Sequence, residues 1–490
     1  MRSALLRRKK KGKDTVKHKV FNPYLPVDEF IPDGEPRVFG DRVYIFGSHD
    51  QCDGLDYCPL DYVGWSAPVS DPSDWCYEGV IYRKEQDPIN PDGERKLYAP
   101  DVVQGPDGRF YLYYSLSVPK WSELEIAVAV CDTLVGQYEY LGVVRFADGR
   151  KLDTPLAYDP AVLVDDDKRV YLYFGFAPHF PMRGQPVPDT LGGYCVELEA
   201  DMLTCKGEPA NIIPDFAHAH GTEYEAHPFF EAFSIRKVED TYYLVYCSRV
   251  CHELCYATSK YPDRDFRYGG VIISNADVGY NGLKQENARS QIANIHGGMV
   301  KIGEQWYISY HRHTHGRQFS RQSCMEPITI QDDGSIAQVE CSSFGLRGGK
   351  APAKEPIPAW CACNMYKGQG GVFIKFSRER TVDAPFVVVE NGEGYVTNIT
   401  DTGVVGYRYL TFTGDESKII LNVKGCCNGT VSVYLTDENA DAAVVGTLQL
   451  SEDQHWSKVS FDLKSEAGDH PLRFVYNGEG MWELAQVQIQ

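Results

Sequence analysis

Long apolar runs are missing from this chain of 490 residues. No stretch approaches the roughly 18 apolar residues that a membrane-spanning helix needs. Near the start, the only apolar run is Ala-Leu-Leu, which is shorter than the core of about 7–15 residues in a signal peptide. We therefore expect a protein that neither enters a membrane nor is secreted, and the predicted location is the cytoplasm.

Positive charge is also scarce. The formal net charge of −19 argues against a nucleic acid or an anionic membrane as the main partner. The exception is the start of the chain, where the first 19 residues contain nine Lys or Arg. Residues 1–20 are predicted to be a basic, disordered extension, with a tether to nucleic acid or membrane as the alternative.

The fifteen cysteines are an odd number, scattered along the whole chain. Without an export signal, they are most simply explained as reduced thiols. The densest group is Cys247, Cys251, His252 and Cys255, and its spacing matches no strong zinc motif. Core packing is therefore the favoured explanation for this group, and a metal site is the alternative.

Helical periodicity is nearly absent, whereas Tyr-rich strand patterns recur. Five stretches place a polar or acidic residue ahead of a turn and a Tyr-rich strand, at intervals of 58 to 72 residues. Their anchors are Glu35, Asp101, Asp159, Glu231 and His296. Repeated hairpins of this length are typical of β-propeller blades, whose inner strands face one central funnel. We expect a five-bladed propeller over residues 21–345, with the anchors gathered at its axis.

The pattern changes after the fifth repeat. Residues 346–371 are rich in Gly, Pro and Lys and are predicted to be a linker over the propeller surface. Residues 372–490 then contain about nine short strand-like segments, which predict a β-sandwich of jelly-roll type. The expected fold is all-β, with a propeller followed by a sandwich domain.

Paired carboxylates on different blades suggest acid–base chemistry. Glycoside hydrolysis requires two carboxyl groups that flank the scissile bond, one of which stays protonated. Glu231 lies between Phe229, Phe230 and Phe233, which would desolvate it and raise its pKa as a general acid requires. The alternative for Glu231 is a structural ion pair with a neighbouring basic residue. Asp159 precedes Pro160, so it could instead be a turn residue.

At these positions the chain resembles glycoside hydrolase family 43, a family of five-bladed propellers that remove arabinose and xylose from plant polysaccharides. The similar segments run from about Asn22 to Pro327, and each is short. They read NPYLP at 22–26, FGSHD at 46–50, YAPDV at 98–102, YDPAV at 158–162, FFEAFSIRK at 229–237 and IHGGMV at 295–300.

The resemblance implies roles for individual residues. Glu231 takes the place of the general acid, and Asp159 that of the carboxylate that raises the pKa of the acid and orients it. The family's base is an Asp before Pro, where this chain has Glu35. Glu35 is the favoured base, with Asp33 as the alternative. His296 matches a histidine near the axis, where calcium or water is often found; no cofactor is expected to be required.

The expected function is therefore that of an inverting, exo-acting glycosidase with an oligosaccharide substrate. Terminal arabinofuranosyl or xylosyl units are the leading candidates for the sugar removed, with a β-galactosidase as the alternative. Asp101, Phe230 and Arg321 are predicted to bind that sugar. Because the Asp base is missing, a propeller that binds sugar but has lost hydrolysis is the rival interpretation.

Residues 372–490 resemble carbohydrate-binding modules of family 6. The similarity rests on GYRYLTF at 406–412, KGCCNGTVSVYL at 424–435 and HPLRFVYNGEGMWELAQVQI at 470–489. Tyr395 and Trp482 could stack on a sugar ring, although core packing is the favoured interpretation of both.

Overall fold

The computed structural model describes residues 20–152, 156–182, 184–437, 444–450 and 455–490. The predicted basic extension lies outside these ranges except for Val20. Within the described part of the chain, none of the helices is long and apolar enough to cross a membrane. All helices in these ranges are single 3₁₀ turns: Lys84–Gln86, Trp121–Glu123, Tyr280–Gly282, Gln285–Asn287, Gly345–Arg347 and Ala359–Cys361.

The first two blades are antiparallel sheets of four strands each, in chain order from the axis outward. Blade 1 consists of β1 (Glu35–Phe39), β2 (Arg42–Phe46), β3 (Tyr62–Pro68) and β4 (Cys76–Tyr82). Blade 2 consists of β5 (Leu97–Gln104), β6 (Phe110–Leu116), β7 (Ile126–Cys131) and β8 (Glu139–Val143).

The remaining three blades follow the same plan with local changes. Blade 3 contains β9 (Arg145–Phe146), β10 (Ala161–Val164), β11 (Val170–Phe174), β12 (Gly192–Leu198), β13 (Thr204–Cys205) and β14 (Ala210–Pro214). Blade 4 contains β15 (Phe229–Val238), β16 (Thr241–Ser248), β17 (Glu253–Ser259) and β18 (Arg267–Ser274). Blade 5, as described, has three strands, β19 (Met299–Ile302), β20 (Gln305–Arg312) and β21 (Gln322–Ile328).

Strand β6 shows why tyrosine suits this architecture. Successive side chains point to opposite faces of a strand, and both faces of a blade pack on a neighbouring blade. Tyr113 lies in the core shared with blade 3, whereas Tyr114 lies in the core shared with blade 1. Each buried hydroxyl donates a hydrogen bond, Tyr113 to the carbonyl of Met202 at 2.6 Å and Tyr114 to the carboxylate of Asp87 at 2.5 Å. The rings therefore fill the inter-blade space without an unpaired polar group.

The ring closes between blades 5 and 1. The inner strands β1, β5, β10, β15 and β19 contact one another around the axis, and β1 also contacts β19. The segment before β1 lies along β21, where the side chain of Asn22 donates to the carbonyls of Met325 and Ser342. The backbone N–H of Tyr24 donates to the carbonyl of Ser323 at 3.2 Å. The five-bladed propeller is thereby confirmed.

The C-terminal region forms a separate ten-stranded β system around one hydrophobic core. Its long strands β28 and β31 pair with each other along most of their length. The strands are β22 (Ala351–Pro352), β23 (Ile357–Pro358), β24 (Asn364–Lys367), β25 (Phe386–Glu390), β26 (Glu393–Ile399), β27 (Gly403–Phe412), β28 (Lys418–Tyr434), β29 (Val444–Leu450), β30 (Ser457–Asp462) and β31 (Gly468–Ile489).

The segment 346–371, which its composition predicts to be a surface linker, belongs to this second domain. Strands β22 and β24 pair with β27, and β23 pairs with β31. Ala351, Ile357 and Met365 are buried in the domain core. These apolar residues, which lie between the Gly and Pro positions, pack in that core. The second domain therefore begins before residue 372.

A buried ion pair joins the two domains. The guanidinium of Arg408, on β27, lies 2.9 Å from Asp277 and 2.6 Å from Glu340, both of which precede the C-terminal domain. Arg408 is almost fully buried. Because a buried charge left unpaired costs several kcal/mol, about 3–5 for a broken pair, this contact ties the docking of the domains to their folding.

Candidate active site

A cavity of about 410 Å³ opens at one end of the propeller axis. This volume lies within the ~300–1,000 Å³ that small-molecule sites usually occupy. Polar groups converge at its inner end, and aromatic side chains dominate its wall. The polar residues that the argument below uses are Asp33, Asp159, Glu231, Asn294, His296 and Arg321.

Arg321 holds the first carboxylate in place. Its Nη1 donates to both oxygens of Asp33, at 2.8 and 3.1 Å. At the other edge of the guanidinium, Nε and Nη2 donate to the carboxylate of Asp50 at 2.8 and 3.0 Å. All three side chains are buried. Burial raises the pKa of Asp50 even though Arg321 opposes that shift.

A histidine fixes the backbone of Asp33. The N–H of Asp33 donates to Nδ1 of His311 at 3.3 Å, so that nitrogen carries no proton. The remaining proton lies on Nε2, which donates to the carbonyl of Asn294 at 3.0 Å. Burial, together with Arg321, holds the pKa of His311 well below its ordinary value, in agreement with a neutral ring.

Asp159 and Glu231 form a second carboxylate group on blades 3 and 4. Burial and then the negative charges of Glu231 and Asp33 raise the pKa of Asp159 well above its ordinary value. Three acidic side chains are thus close enough to influence one another's ionisation.

Glu231 is not engaged by its basic neighbours in sequence. Arg236 instead pairs with Glu35 at 2.7 Å, and Lys237 pairs with Asp165 at 2.7 Å and Asp166 at 2.8 Å. Glu231 is partly buried beside Phe230, which also lines the cavity. The structural alternative considered from the sequence, an ion pair with Arg236 or Lys237, is therefore not what the structure shows.

His296 also faces the cavity. Its Nδ1 lies 3.8 Å from a carboxylate oxygen of Asp159. Burial lowers the pKa of His296, which favours the neutral ring. Among the described residues, His296 belongs to no group of three His, Cys, Asp or Glu side chains close enough to share an ion. Calcium at this position therefore stays a prediction, and no step below depends on it.

Glu35 and Asp101 lie elsewhere, deeper along the axis and outside the cavity lining. Glu35 pairs with Arg236 at 2.7 Å, and Asp101 pairs with Arg37 at 2.6 Å. These four buried or nearly buried side chains make an axial charge network of zero net charge. The expectation that all five anchors line one pocket is thus corrected: three of them do, and two form this network.

Position relative to the inner strand accounts for Asp159 and His296. Glu35 begins β1 and Asp101 is the fifth residue of β5, whereas Asp159 and His296 come before their strands. Two residues of a strand span about 6.6 Å, so a residue that precedes a regular strand lies closer to the cavity than one inside it. Glu231 is the third residue of β15 and still lines the cavity, and the register of β15 is irregular on both sides of it. Asp33 is two residues before Glu35 and adopts a left-handed conformation with φ of 56°, which few residues other than Gly accept. Backbone strain of this kind is concentrated at functional sites.

The structure adds cavity residues that the sequence patterns did not single out. Tyr57 and Asn294 line the cavity, and so do Phe373 and Phe376, which follow the propeller in sequence by more than 25 residues. Of the predicted sugar-binding residues, Phe230 and Arg321 line the cavity and Asp101 does not. Asp50 could have been found from the sequence, because it ends the FGSHD segment at 46–50. The strand periodicity gives no indication that Phe373 and Phe376 line the cavity.

The cysteine group on blade 4 shows no assembled metal site. All fifteen cysteines lie in the described ranges and are free thiols. Cys247 and Cys255 are buried in blade cores. Among the described residues, the groups with metal-ligand geometry are Cys52, Asp53 and His315, and His227, Glu253 and Cys255. Their charged members are already paired, Asp53 with Arg380 at 3.0 Å and Glu253 with His227 at 2.6 Å.

The sequence model of Glycosyl hydrolases family 43 matches residues 40–336 of this chain. A xylosidase/arabinosidase of Thermoclostridium stercorarium is 45% identical over 477 residues, which are 95% of this chain and 97% of the relative. A xylosidase/arabinosidase of Bacteroides ovatus is 25% identical over 342 residues, covering 65% of this chain and 97% of the relative.

A similar architecture occurs among solved structures. The GH43_1 enzyme from Xanthomonas citri, crystallised with xylose, has a TM-score of 0.51 and 26% identity. The similarity covers 66% of this chain and 94% of that enzyme. The matched portion thus has the size of the propeller, without most of the second domain.

We expect Arg321→Gln to lower the free energy of unfolding by about 3–5 kcal/mol, because two buried carboxylates lose their cation. The folded-state pKa of Asp50, already raised by burial, should rise further. A raised folded-state pKa contributes stability at low pH that is lost as pH rises through it. The loss in the variant should therefore be smallest near pH 4 and should increase as the pH is raised, as measured by urea unfolding at several pH values.

The matched control is Arg109→Gln, which removes an arginine paired with Asp132 at the surface. Its unfolding free energy should stay close to that of the wild type throughout the pH series. An Arg321→Gln loss that is the same at every pH would contradict the assignment of Asp50 as a carboxylate stabilised by this guanidinium.

Proposed function

This chain belongs to glycosyl hydrolase family 43, and we propose that it is an exo-acting xylosidase/arabinosidase that works with inversion of configuration. The observation that carries the proposal is the convergence of Asp33, Asp159 and Glu231 in one cavity. The substrate class follows from relatives named xylosidase/arabinosidase, one of which matches this chain over nearly its full length.

In the proposed reaction, a water molecule attacks the anomeric carbon while the bond from that carbon to the leaving oxygen breaks. Asp33 accepts a proton from the water, and Glu231 donates a proton to the leaving oxygen. Asp33 is suited to the role of base because Arg321 and His311 fix both its carboxylate and its backbone. Glu35 is not suited, since it lies outside the cavity lining and pairs with Arg236.

Asp159 acts on Glu231 as a positioning residue. Burial and then the negative charge of Glu231 raise the pKa of Asp159, which places the two carboxyl groups close enough to interact. The left-handed conformation of Asp159, with φ of 49°, is a strained geometry for a non-glycine residue.

The exo mode follows from the shape of the site. The axial network of Glu35, Arg37, Asp101 and Arg236 fills the propeller centre below the carboxylates. We infer that this network closes the inner end of the cavity, so that a sugar at the end of a chain is the unit that reaches Asp33 and Glu231. Phe230 and Arg321, which line the cavity, are proposed contacts of that terminal sugar.

The first test is a substrate panel with the wild-type protein. We expect release of nitrophenol from α-L-arabinofuranosides or β-D-xylosides, with the first-formed sugar inverted at its anomeric carbon in an NMR time course. Release from β-D-galactosides alone would favour the galactosidase alternative. Binding of oligosaccharides without any release would favour a propeller that has lost hydrolysis.

A second prediction separates the two candidate bases. Asp33→Gly should lower kcat about 10²–10⁴-fold, because base catalysis is lost while the φ of 56° suits glycine. Added azide should restore turnover and give a glycosyl azide of inverted configuration, which NMR identifies. Azide is small enough to occupy the space of the missing carboxylate and attack the anomeric carbon itself.

Glu35→Gln is the comparison for this experiment. It should keep kcat within a few-fold of the wild type and lower the unfolding free energy by roughly 1–3 kcal/mol, since Arg236 loses a charged partner. If Glu35→Gln abolishes turnover while Asp33→Gly does not, the base is Glu35 and the assignment made here is wrong.

We also propose that the C-terminal domain is a carbohydrate-binding module of the family 6 type. Trp482 and Tyr395 cannot present a face to sugar, because both are buried. Trp456 is 39% exposed and packs edge-on against Tyr395, with ring centroids 5.4 Å apart. The ammonium of Lys424 lies 4.8 Å from the Trp456 ring, so one ring face is partly covered.

For this module, we expect Trp456→Ala to weaken retention of the protein on insoluble arabinoxylan, because stacking on a sugar ring is lost. The measurement is made in a Glu231→Gln background so that the polysaccharide is not digested. Tyr261→Ala, which truncates a similarly exposed aromatic residue on the propeller, is the control. Equal retention of both variants would show that the domain has a structural role only.

A further inference from the structure

The geometry points to a leaving-group subsite that the C-terminal domain contributes to the propeller. We propose that residues 370–384, here called the crossing segment, place Phe373 and Phe376 at the cavity mouth, where they bind the sugar unit that departs. This inference rests on the proposed glycosidase function and assigns it a specificity determinant outside the propeller.

The crossing segment is attached to the propeller by backbone contacts. The N–H of Ile292 donates to the carbonyl of Val372 at 3.0 Å, and the N–H of Ile374 donates to the carbonyl of Ile292 at 2.9 Å. Gly371 permits this approach, since a Cβ there would lie 1.8 Å from the carbonyl oxygen of Ser290. The segment thus lies at a defined distance from the cavity.

Side chains hold the rest of the crossing segment. Gln318 donates to the carbonyl of Ile374 at 2.6 Å, and Arg317 donates to the carbonyl of Arg378 at 2.8 Å. The guanidinium of Arg380 pairs with Asp53 at 3.0 Å. The propeller therefore binds this segment with contacts that do not need the long strands of the second domain.

The two phenylalanines remain open to solvent even though the segment is anchored. Phe373 is 43% exposed and Phe376 is 63% exposed, and both line the cavity. Ile374, between them, is buried in a small core with Ala293. In an extended segment, adjacent side chains point to opposite sides, so Phe373 points away from the core that buries Ile374, and the chain bends at Phe376. Exposed aromatic faces at the mouth of a sugar site are suited to stacking on a pyranose ring.

The position of Phe373 and Phe376 indicates that they contact the leaving group of the substrate. In the proposed function the terminal sugar lies against Asp33, Asp159 and Glu231, which line the cavity. The remaining sugar then extends toward the mouth. Phe180, on the blade 3 side of the cavity, is also about half exposed and lines the cavity, which gives the mouth a second aromatic wall.

Phe376 is also coupled to the catalytic end through one ring. Its centroid is 5.9 Å from that of Tyr57, and the guanidinium of Arg321 lies 4.6 Å from the Tyr57 ring centroid. Tyr57 in turn donates to Gln318 at 2.8 Å. If Phe376 has only a structural role, its loss would act through Arg321 and Asp33 and would affect every substrate alike. The experiment must distinguish that general loss from a loss of leaving-group binding.

The experiment compares two substrates in the full-length protein. Xylobiose carries a sugar leaving group, whereas β-xylosyl fluoride has a leaving group of one atom; the arabinofuranosyl pair replaces them if the protein prefers that sugar. For Phe376→Ala we expect kcat/KM on the disaccharide to fall about threefold to tenfold, the effect of one lost aromatic stacking contact. The loss should be confined to the disaccharide, and Phe376→Trp should restore it.

Val372→Ala is the matched control, because Val372 is in the same segment, is 55% exposed and does not line the cavity. It should behave as the wild type on both substrates, and the melting temperature of each variant reports whether the fold is intact. An equal loss on both substrates, or no loss on either, would overturn the leaving-group subsite. A wild-type protein that hydrolyses neither substrate would instead overturn the proposed function, and the inference with it.

Discussion

The site depends on the ion pairs that the guanidinium of Arg321 makes with Asp33 and Asp50. The guanidinium joins Asp33, which precedes β1, to Asp50, which follows β2, so it sets the geometry of the first blade at the cavity. One guanidinium thus holds two buried carboxyl groups in fixed positions. The same cation lies over Tyr57, whose ring contacts the crossing segment. Loss of this one side chain would therefore disturb both the base and the wall of the cavity.

The propeller axis is organised in two layers with different electrostatics. The inner layer pairs two carboxylates with two guanidinium groups and has no net charge. Among the described residues, the cavity layer brings together three carboxyl groups, His296 and the guanidinium groups of Arg249 and Arg321. In the second layer, burial and then the negative charges of Glu231 and Asp33 raise the pKa of Asp159. The charges of the inner layer are therefore paired within that layer and lie outside the cavity lining.

The second domain contributes residues to the lining of the cavity. Its first strands begin soon after the propeller ends, and a buried arginine locks the two domains together. After β24, the chain returns to the propeller as the crossing segment and then continues into the remaining strands of the second domain. This route explains why a region that differs in fold from the propeller still lines the cavity. It also means that the domain arrangement, rather than the propeller alone, sets the space available to a departing sugar.

Much of the architecture could be predicted from local patterns. Alternating strands, the turn clusters and the repeat interval indicated five blades, because each blade must bury both faces and the strand period of two residues is visible in the chain. The same patterns identified Asp159 and Glu231 as residues near the axis. They also showed that the region after the fifth blade is β-rich, since no helical periodicity occurs there.

The choice between Asp33 and Glu35 could not be made in this way. Both lie ahead of the same turn, and which of them faces the cavity depends on where β1 begins and on the left-handed backbone of Asp33. The domain membership of residues 346–371 and the position of Phe376 were likewise decided by long-range packing. Local sequence determined the strands and their repeat in this protein. Only the tertiary structure decided the depth of each side chain along the axis, because depth depends on how five sheets close around it.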